Sequence, residues 1–572
     1  MRRFLFILLY IGIFGPTAAL SAQTLFLQEP PKRETRAVWL TTYASLDWPK
    51  AKAGTEEGIR AQKDELRRIL DRLQEANFNT VLLQTRVRGS VIYPSGIEPW
   101  DGCLTGTPGE APGYDPLAFA IDECHRRGME LHAWLVAIPC FKTSAVRRMG
   151  AKCVLRTHPE LCVRHRDSWY LDPGQPGTAD YLAAICREIV VNYDVDGIHL
   201  DYIRYPENAA AFNDRASYRK YGKKRDKAEW RRENITRCVR EMHRAIKSAK
   251  PWVKFSSSPI GKFSDLSRYP SHSWNAYAAV YQDAQGWLRE GIQDMLFPMM
   301  YFRDNHFYPF AIDWKENDCG RAVVPGLGIY FLSPDEQDWP LTDITRELHF
   351  VRNIGLGGQA YFRYAHLRDN HKGLFDFLKN AYYLFPALPA ACAAPDSIPP
   401  AAPQGLHEAN EGARYVLRWT PSAGTHSGAG LRYNIYASPT HPVDISSARH
   451  LIAAGVDSCS LPVDGVFCGL NNVCFAVTAM DRYGRESAPA ELSAGFFGAA
   501  EEPRGFLSHD SGTLSIPAQD CPYLAIVDLY GRIVRTVPYS RQVSIARLPK
   551  GIYQIRTLGR KGRSAGIGYF IK

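Results

Sequence analysis

Between Arg36 and Phe385 short apolar runs alternate with longer amphipathic stretches, eight times over. Runs that are apolar throughout read as strands buried on both faces, which occur in parallel sheets covered by helices. The expected strands are Ala37–Thr41, Thr80–Gln84, Glu130–Val136, Gly197–Asp201, Val253–Ser257, Met295–Met300, Arg321–Ile329 and Gly358–Phe362. The helices expected between them include Ile59–Ala76, Pro116–Arg127, Ala179–Tyr193, Lys227–Lys250, Asp283–Glu290, Asp343–Asn353 and Gly373–Leu384. Eight such units predict an α/β fold, a (β/α)8 TIM barrel carrying insertions, over residues 33–386. A doubly wound sheet is the competing arrangement. No glycine-rich phosphate loop follows the first strand, which argues against its nucleotide-binding forms.

The rest of the 572 residues divides around that block. Residues 1–22 read as a secretory signal peptide: Arg2 and Arg3 open it, Phe4–Phe14 is apolar but short for a membrane span, and Ala18, Ala19, Ser21 and Ala22 suit cleavage. No later run is apolar and long enough to cross a bilayer, so an exported protein without a transmembrane segment is expected. Residues 387–403 are rich in Ala and Pro, which is linker chemistry. Short alternating strands then fill 404–494, a small β-sandwich, and a second all-β unit occupies 504–572. Two small all-β domains are thus expected after the barrel.

The formal net charge of +10 is spread along the chain, with a local run at Arg219–Arg240 that reads first as a solvated helix face. Nothing resembles a nucleic-acid-binding module, and no such partner is expected. The 13 cysteines show no paired CxxC spacing, so neither a metal site nor a cofactor is expected. Cys153 with Cys162, and Cys468 with Cys474, are the closest pairs outside helix-like sequence.

The stretch VDGIHLDYIRYP, Val195–Pro206, carries the clearest chemical signal. Its apolar run ends in Asp201, followed by Tyr202, Arg204 and Tyr205. An acid that ends a buried strand is costly unless it is used or paired, and barrel enzymes keep their chemistry at that end. The alternative is that Asp201 pairs with Arg204 and shapes the loop. Ser257 and Ser258 end another strand, but no GxSxG elbow surrounds them. His199 and Asp201 share one strand face and with His132 could hold a metal, a weaker reading because no HxH or HExxH set appears.

Several blocks resemble the glycosyl hydrolase-like 10 family: RAVWLTTYASLDWP, NFNTVLLQTRVRGSVIYPS, PGYDPLAFAIDECHRRGMELHAWL, WYLDPGQP, YDVDGIHLDYIRYP and DMLFPMMYF. They are collinear between Arg36 and Phe302. The resemblance implies a TIM barrel related to glycoside hydrolases, some of whose members are implicated in cleaving bacterial cell-wall glycans. It places the family's signature acid at Asp201 and a motif acid at Asp172. The family often carries a second acid directly after the first, where this chain has Tyr202. The segment with YNIYASPT and VCFAVTAMDRYGRESAPAELS looks like a fibronectin type III domain. The end of the chain, with Gly531-Arg532 and Leu548, Gly551 and Tyr553, resembles the C-terminal sorting domain of the Bacteroidetes type IX secretion system. Secretion machinery is the partner that this tail implies.

Glycoside hydrolysis usually needs two carboxyl groups flanking the scissile bond, in environments that separate their pKa values. Asp201 is the first candidate and Asp172 the second, although Asp172 before Pro173-Gly174 reads equally as a turn residue. Glu98, Asp101 and Asp283 are further acids in loops. Gln84, Arg86, Arg88, His132, Trp134, Arg204, Tyr301, Tyr361 and Arg363 lie on or just after expected strands and are candidate glycan-positioning groups. Arg86, His132, Trp134, Asp201, Tyr301 and Tyr361 are expected to converge at one barrel mouth. Two functions remain open, a glycoside hydrolase and a catalytically silent carbohydrate-binding or adhesion protein. They differ in whether a second carboxyl group faces Asp201.

Overall fold

The computed structural model describes residues 29–572 except 270–273, 395, 397, 412–413, 423–429, 439, 464–472, 495–506, 508, 511, 520, 522, 529–532, 547, 549–551 and 559–565. The expected signal peptide, the break at 495–504, Cys468, Gly531, Arg532 and Gly551 lie outside the described residues.

Twelve strands make up the first part of the chain. They are β1 (Thr35–Leu40), β2 (Thr80–Arg86), β3 (Glu130–Val136), β4 (Pro139–Lys142), β5 (Cys162–His165), β6 (Ser168–Leu171), β7 (Gly197–Asp201), β8 (Lys254–Ser257), β9 (Met295–Leu296), β10 (Ala322–Val323), β11 (Gly326–Leu327) and β12 (Gly358–Tyr361). Nine of them form one parallel sheet in the order β10-β9-β8-β7-β3-β2-β1-β12-β11. Its two edge strands are halves of a single segment. β10 pairs with β9 and β11 pairs with β12, so one stretch of chain brings the two edges together. The expected strand Arg321–Ile329 is therefore divided at Val324-Pro325, where proline offers no N–H to either neighbour. Gly358 permits the adjoining contact: its φ is +134°, and a Cβ there would stand 2.1 Å from the Thr35 carbonyl oxygen.

The sheet curls because each strand buries both faces differently. Val38, Val81, Leu131, Ile198 and Phe255 point outward into the large core under the helices. Ala37, Trp39, Leu82, Trp134, Met295, Phe297, Val324 and Ala360 point inward and fill the lumen. The outer helices follow their local signals. Thr55 caps Glu56–Glu75 by accepting from Gly58 N, and Leu66, Ile69, Leu70 and Leu73 form its buried stripe. Asp115 caps Pro116–His125, with proline in its first turn. Among the described residues no helix is long and apolar enough to cross a membrane.

Between β3 and β7 the chain builds an antiparallel sheet, β4-β6-β5, which the sequence did not announce. Beyond the linker, residues 404–494 form antiparallel sheets of three and four strands, and the last segment adds two more of the same sizes. Leu417, Trp419, Ile435, Phe475 and Val477 pack together in the first of these regions.

The first β region docks against the N-terminal end of the strands. Asp196, just before β7, accepts from Leu131 N at 2.9 Å and lies 2.8 Å from His125 Nε2. It also pairs with Arg432 at 3.0 Å and Arg482 at 3.1 Å. Burial alone would push its pKa up, but Arg432, His125 and Arg482 together hold it well below the usual carboxylate range. Removing it by Asp196→Ala leaves the largely buried Arg432 without its anion and Arg482 with Asp194 alone, at an expected cost of about 3–5 kcal/mol. Because the folded pKa is lowered, this contribution is complete above about pH 4 and is lost as the pH falls through the folded value. Thermal melts should show a wild-type advantage that holds at neutral pH and shrinks in acid. A Tm gap that stays constant through strong acid would contradict the assignment.

Candidate active site

β7 places Asp201 at the C-terminal end of the lumen, opposite Val136 of β3. Its side chain is 7% exposed. Tyr202 N donates to Oδ1 at 2.7 Å, Ser258 Oγ to Oδ1 at 3.3 Å and Trp134 Nε1 to Oδ2 at 3.3 Å. Burial raises the pKa of Asp201, and Arg204 and these donors pull it back only in part, so it stays above the ordinary aspartate value. The group therefore keeps a proton into less acidic solution than a surface aspartate does. The next residue, Tyr202, has φ +51°, an uncommon conformation for a bulky side chain.

An aromatic wall stands nearby. Tyr301 stacks on Phe362 with centroids 5.6 Å apart and meets Tyr330 edge-on at 5.8 Å. Its phenol is pushed well above the usual range by burial and then by the charge of Asp201. Tyr301 fits because residue 328 is glycine; a Cβ there would lie 3.0 Å from the Tyr301 Cβ.

Two cavities meet at Arg88. One of about 600 Å³ is lined by Tyr43, Lys52, Arg88, Asp101, Phe141 and Arg148, among others. The other, about 200 Å³, lies among Arg88, Arg166, Tyr170, Tyr202, Arg204 and Glu207. The antiparallel insertion β4-β6-β5 supplies Tyr170, and the turn between β5 and β6 supplies Arg166.

The structure brings together only part of the expected set. Trp134, Asp201, Arg204 and Tyr301 share the mouth, with Arg88 at the adjoining cavities. Arg86 is buried in the framework: it pairs with Glu98 at 2.7 Å, and it donates to Val136 O and to Ala137 O at 2.8 Å. His132 lies too low. It pairs with Gly197, four residues before Asp201 and about 13 Å away at the usual strand rise, and its Nε2 is 3.1 Å from Glu130 Oε2. Tyr361 points outward, with its hydroxyl 2.7 Å from that of Tyr383, because its strand turns Ala360 inward. These three do not converge with Asp201, which corrects the expectation of a common mouth.

Other candidates have local duties. Asp172 accepts from Gly174 N at 2.8 Å in a turn, and burial raises its pKa beside Ser217, Asp214 and Arg231. Gln84 accepts from Thr42 N at 3.1 Å and Tyr43 N at 2.8 Å, fixing the loop after β1. Arg363 pairs with Asp47 at 2.5 Å. Asp101 accepts from Cys103 N at 2.8 Å and from Ser90 Oγ at 2.6 Å, and Asp283 caps Ala284–Glu290. Ser258, Tyr170, Tyr330 and Phe362 join the site without having been singled out for it. Ser258 had a signal, since it follows β8 as Asp201 ends β7. Cys153 and Cys162 are free thiols. Among the described residues no group of three or more His, Cys, Asp or Glu is arranged to hold a metal.

The family profile described as Glycosyl hydrolase-like 10 matches residues 34–330. The chain is 32% identical over 377 residues to Glycosyl hydrolase YngK of Bacillus subtilis (strain 168), covering 62% of this chain and 73% of that protein. It is 36% identical over 344 residues to Glycosyl hydrolase DigH of Escherichia coli (strain K12), covering 55% of this chain and 78% of that protein. Among solved structures, alpha-L-fucosidase isoenzyme 2 from Paenibacillus thiaminolyticus overlaps 61% of this chain and 49% of its own at 13% identity, with a TM-score of 0.41.

The two neighbouring arginines should separate by stability. Arg86 and Glu98 are both fully buried, so Arg86→Ala strands a carboxylate and should cost about 3–5 kcal/mol. Arg88 makes no ion pair among the described residues, and Arg88→Ala should stay within about 0.5 kcal/mol of wild type. Urea unfolding of the two variants checks this, and equal losses would refute the division.

Proposed function

The chain belongs to the glycosyl hydrolase-like 10 family, and from that premise we propose that it is an exported glycoside hydrolase acting on a bacterial cell-wall (peptidoglycan) or other complex glycan. The observation that carries this reading is Asp201, a buried carboxyl group with a raised pKa at the open end of the lumen. In the proposed step its proton passes to the glycosidic oxygen as the bond from that oxygen to the anomeric carbon breaks; water, directly or after attack by the second carboxylate, forms the new bond to that carbon and gives up a proton to the carboxylate left basic. Tyr301 and Phe362 offer ring faces on which a sugar stacks. Trp134 and Ser258 hold the carboxyl group and stabilise its anion after the proton leaves.

The two-carboxylate scheme gives the second role to Asp172, which would have to release Gly174 N to serve. That commitment favours a second reading, a carbohydrate-binding protein without turnover on the same scaffold. The proposal includes export through the leader at residues 1–22, a fibronectin type III-like unit at 404–494, and a sorting-like tail at 504–572 that engages secretion machinery. Deleting the tail in the native host should retain the protein in the periplasm with full activity in lysates. Unchanged surface delivery would count against that role.

Asp201→Asn tests the catalytic reading. Hydrolysis of purified peptidoglycan or of a polysaccharide panel, read by mass spectrometry, should fall at least about 100-fold. The fold should not suffer. A carboxyl group whose folded pKa is raised opposes folding once ionised, so the variant should melt higher than wild type at pH 7. That advantage should vanish below about pH 4, where the carboxyl group is protonated in both states. Near-wild-type turnover by the variant removes Asp201 from the mechanism, and absence of turnover in wild type with retained glycan binding supports the second reading.

A further inference from the structure

The connection from β7 to the helix Lys227–Ala249 gathers positive charge in one place. Arg215, Arg219, Lys220, Lys223, Lys224 and Arg225 are all exposed, and no acid stands in the sequence between the first and the last of them. Among the described residues none of the six forms an ion pair, whereas their neighbours Lys227 and Arg231 both meet the buried Asp214, at 2.9 and 2.7 Å. Asp226, the acid that follows, is turned to its own helix, where it accepts from Glu229 N at 2.9 Å. The segment is a hydrogen-bonded turn and not a loose loop. Gly222 N donates to Tyr218 O at 2.7 Å, Arg225 N to Gly222 O at 3.0 Å, and the Tyr218 hydroxyl to Arg225 O at 2.5 Å. Within it Lys223 and Lys224 hold left-handed backbone, with φ of +49° and +63°, a conformation that glycine and asparagine adopt at less cost. Repulsion among the charges and the strain of two such lysines both oppose this arrangement, and strain of this kind concentrates where a partner outside the chain offsets it.

We propose that this turn is a docking surface for a bilayer that carries anionic phospholipid headgroups. Six cations spread along an exposed turn match an extended array of phosphates better than one small anion. Attraction of this kind fades within a Debye length, about 10 Å at 0.1 M salt, so it needs side chains that project as these do. Tyr221 lies among them, half-buried, with Lys220 Nζ 5.0 Å from its ring centre. A tyrosine has an apolar body and a polar tip, which suits the depth of lipid headgroups. The position of the turn gives the contact a consequence. β7 and β8 are parallel, so the helix Lys227–Ala249 between them runs the opposite way and begins at the end of the barrel where β7 stops at Asp201. A chain seated by this turn holds the mouth of the barrel beside the membrane. No residue of the proposed catalytic step takes part, and the docking stands whether or not the chain turns over a glycan.

Flotation of the full chain with lipid vesicles tests this. At low salt the protein should float with vesicles of equal parts phosphatidylglycerol and phosphatidylcholine, stay down with phosphatidylcholine alone, and leave the charged vesicles as salt is raised. The variant Arg219→Gln/Lys223→Asn/Lys224→Asn should bind at least about 50-fold more weakly, since each cation near such a surface contributes about fivefold. Asparagine tolerates left-handed backbone, so this variant should melt no lower than wild type. Should it melt lower, Arg219→Gln/Lys220→Gln, which spares the strained pair, gives the reading, with a loss of at least about tenfold expected. Arg60→Gln/Arg187→Gln/Arg346→Gln removes the same charge from exposed positions on three other helices and should bind within about threefold of wild type. Equal binding to both kinds of vesicle, no binding to either, undiminished binding by the turn variants, or an equal loss in the three-helix control would overturn the proposal. Retention on immobilised polygalacturonate without vesicle binding would overturn it too, and would assign the turn to an acidic polymer.

Discussion

Closure of the sheet at residues 322–327 is the constraint on which the site depends. One short segment serves two neighbours. Val324 N donates to Leu296 O at 2.8 Å on one side, and Ala360 N to Pro325 O at 2.9 Å on the other. Pro325 suits the crossing because it has no N–H to leave unpaired. Gly326 suits it because a side chain there would collide with the Trp39 ring, 2.8 Å from its Cβ position. With the edges joined, Tyr301, Tyr330 and Phe362 stand beside the same lumen that ends in Asp201. An open sheet would leave those groups on separate edges.

Several polar side chains fill the lumen below Asp201 and bond to one another. Trp39 Nε1 donates to His199 Nε2 at 3.2 Å, which leaves Nδ1 to carry the proton toward Ser256 Oγ at 3.0 Å. Burial, then His132, lowers the pKa of His199 well below the usual value, so the ring is neutral. Lower still, Glu130 meets Lys254 at 2.6 Å and His132 at 3.1 Å. Most of these polar groups are paired with one another, His132 Nδ1 being without a hydrogen-bond partner. This packing supplies the low-dielectric floor that raises the pKa of Asp201. The same contrast separates two arginines: Arg86 is ion-paired with Glu98, whereas Arg204 leaves Nε and Nη1 without hydrogen-bond partners.

Much of the fold was legible because parallel strands buried on both faces leave continuous apolar runs. Gly197–Asp201 and Glu130–Val136 occur with the bounds read from sequence, and Asp201 ends its strand as its position implied. Side-chain direction was less legible. Tyr361 follows Ala360, and alternation sends one inward and the other outward, but an apolar run on both faces hides which is which. Arg86 was misplaced because β2 changes register between Gln84 and Arg86, which turns the guanidinium toward Glu98. The insertion sheet escaped notice for another reason. Its strands have four residues each, too few for a period to declare itself.

Three unfavourable features fall within four consecutive residues. Asp201 is buried with a raised pKa, Tyr202 adopts a left-handed backbone, and Arg204 lacks partners for two buried nitrogens. Each opposes folding, by about 1–3 kcal/mol for the backbone and comparable amounts for the polar groups. Packing alone would remove all three, since an asparagine, a glycine and a methionine at those places would relieve them. The segment is instead anchored from both sides by β3 and β8, and by Ser258 and Trp134 on the carboxyl group itself. Strain concentrated where neighbours over-determine the backbone is the mark of a site held ready for something the chain does not contain. Here the missing parts are a base for the proton of Asp201 and hydrogen-bond acceptors for Arg204 Nε and Nη1. In the proposed reading a glycosidic oxygen supplies the first.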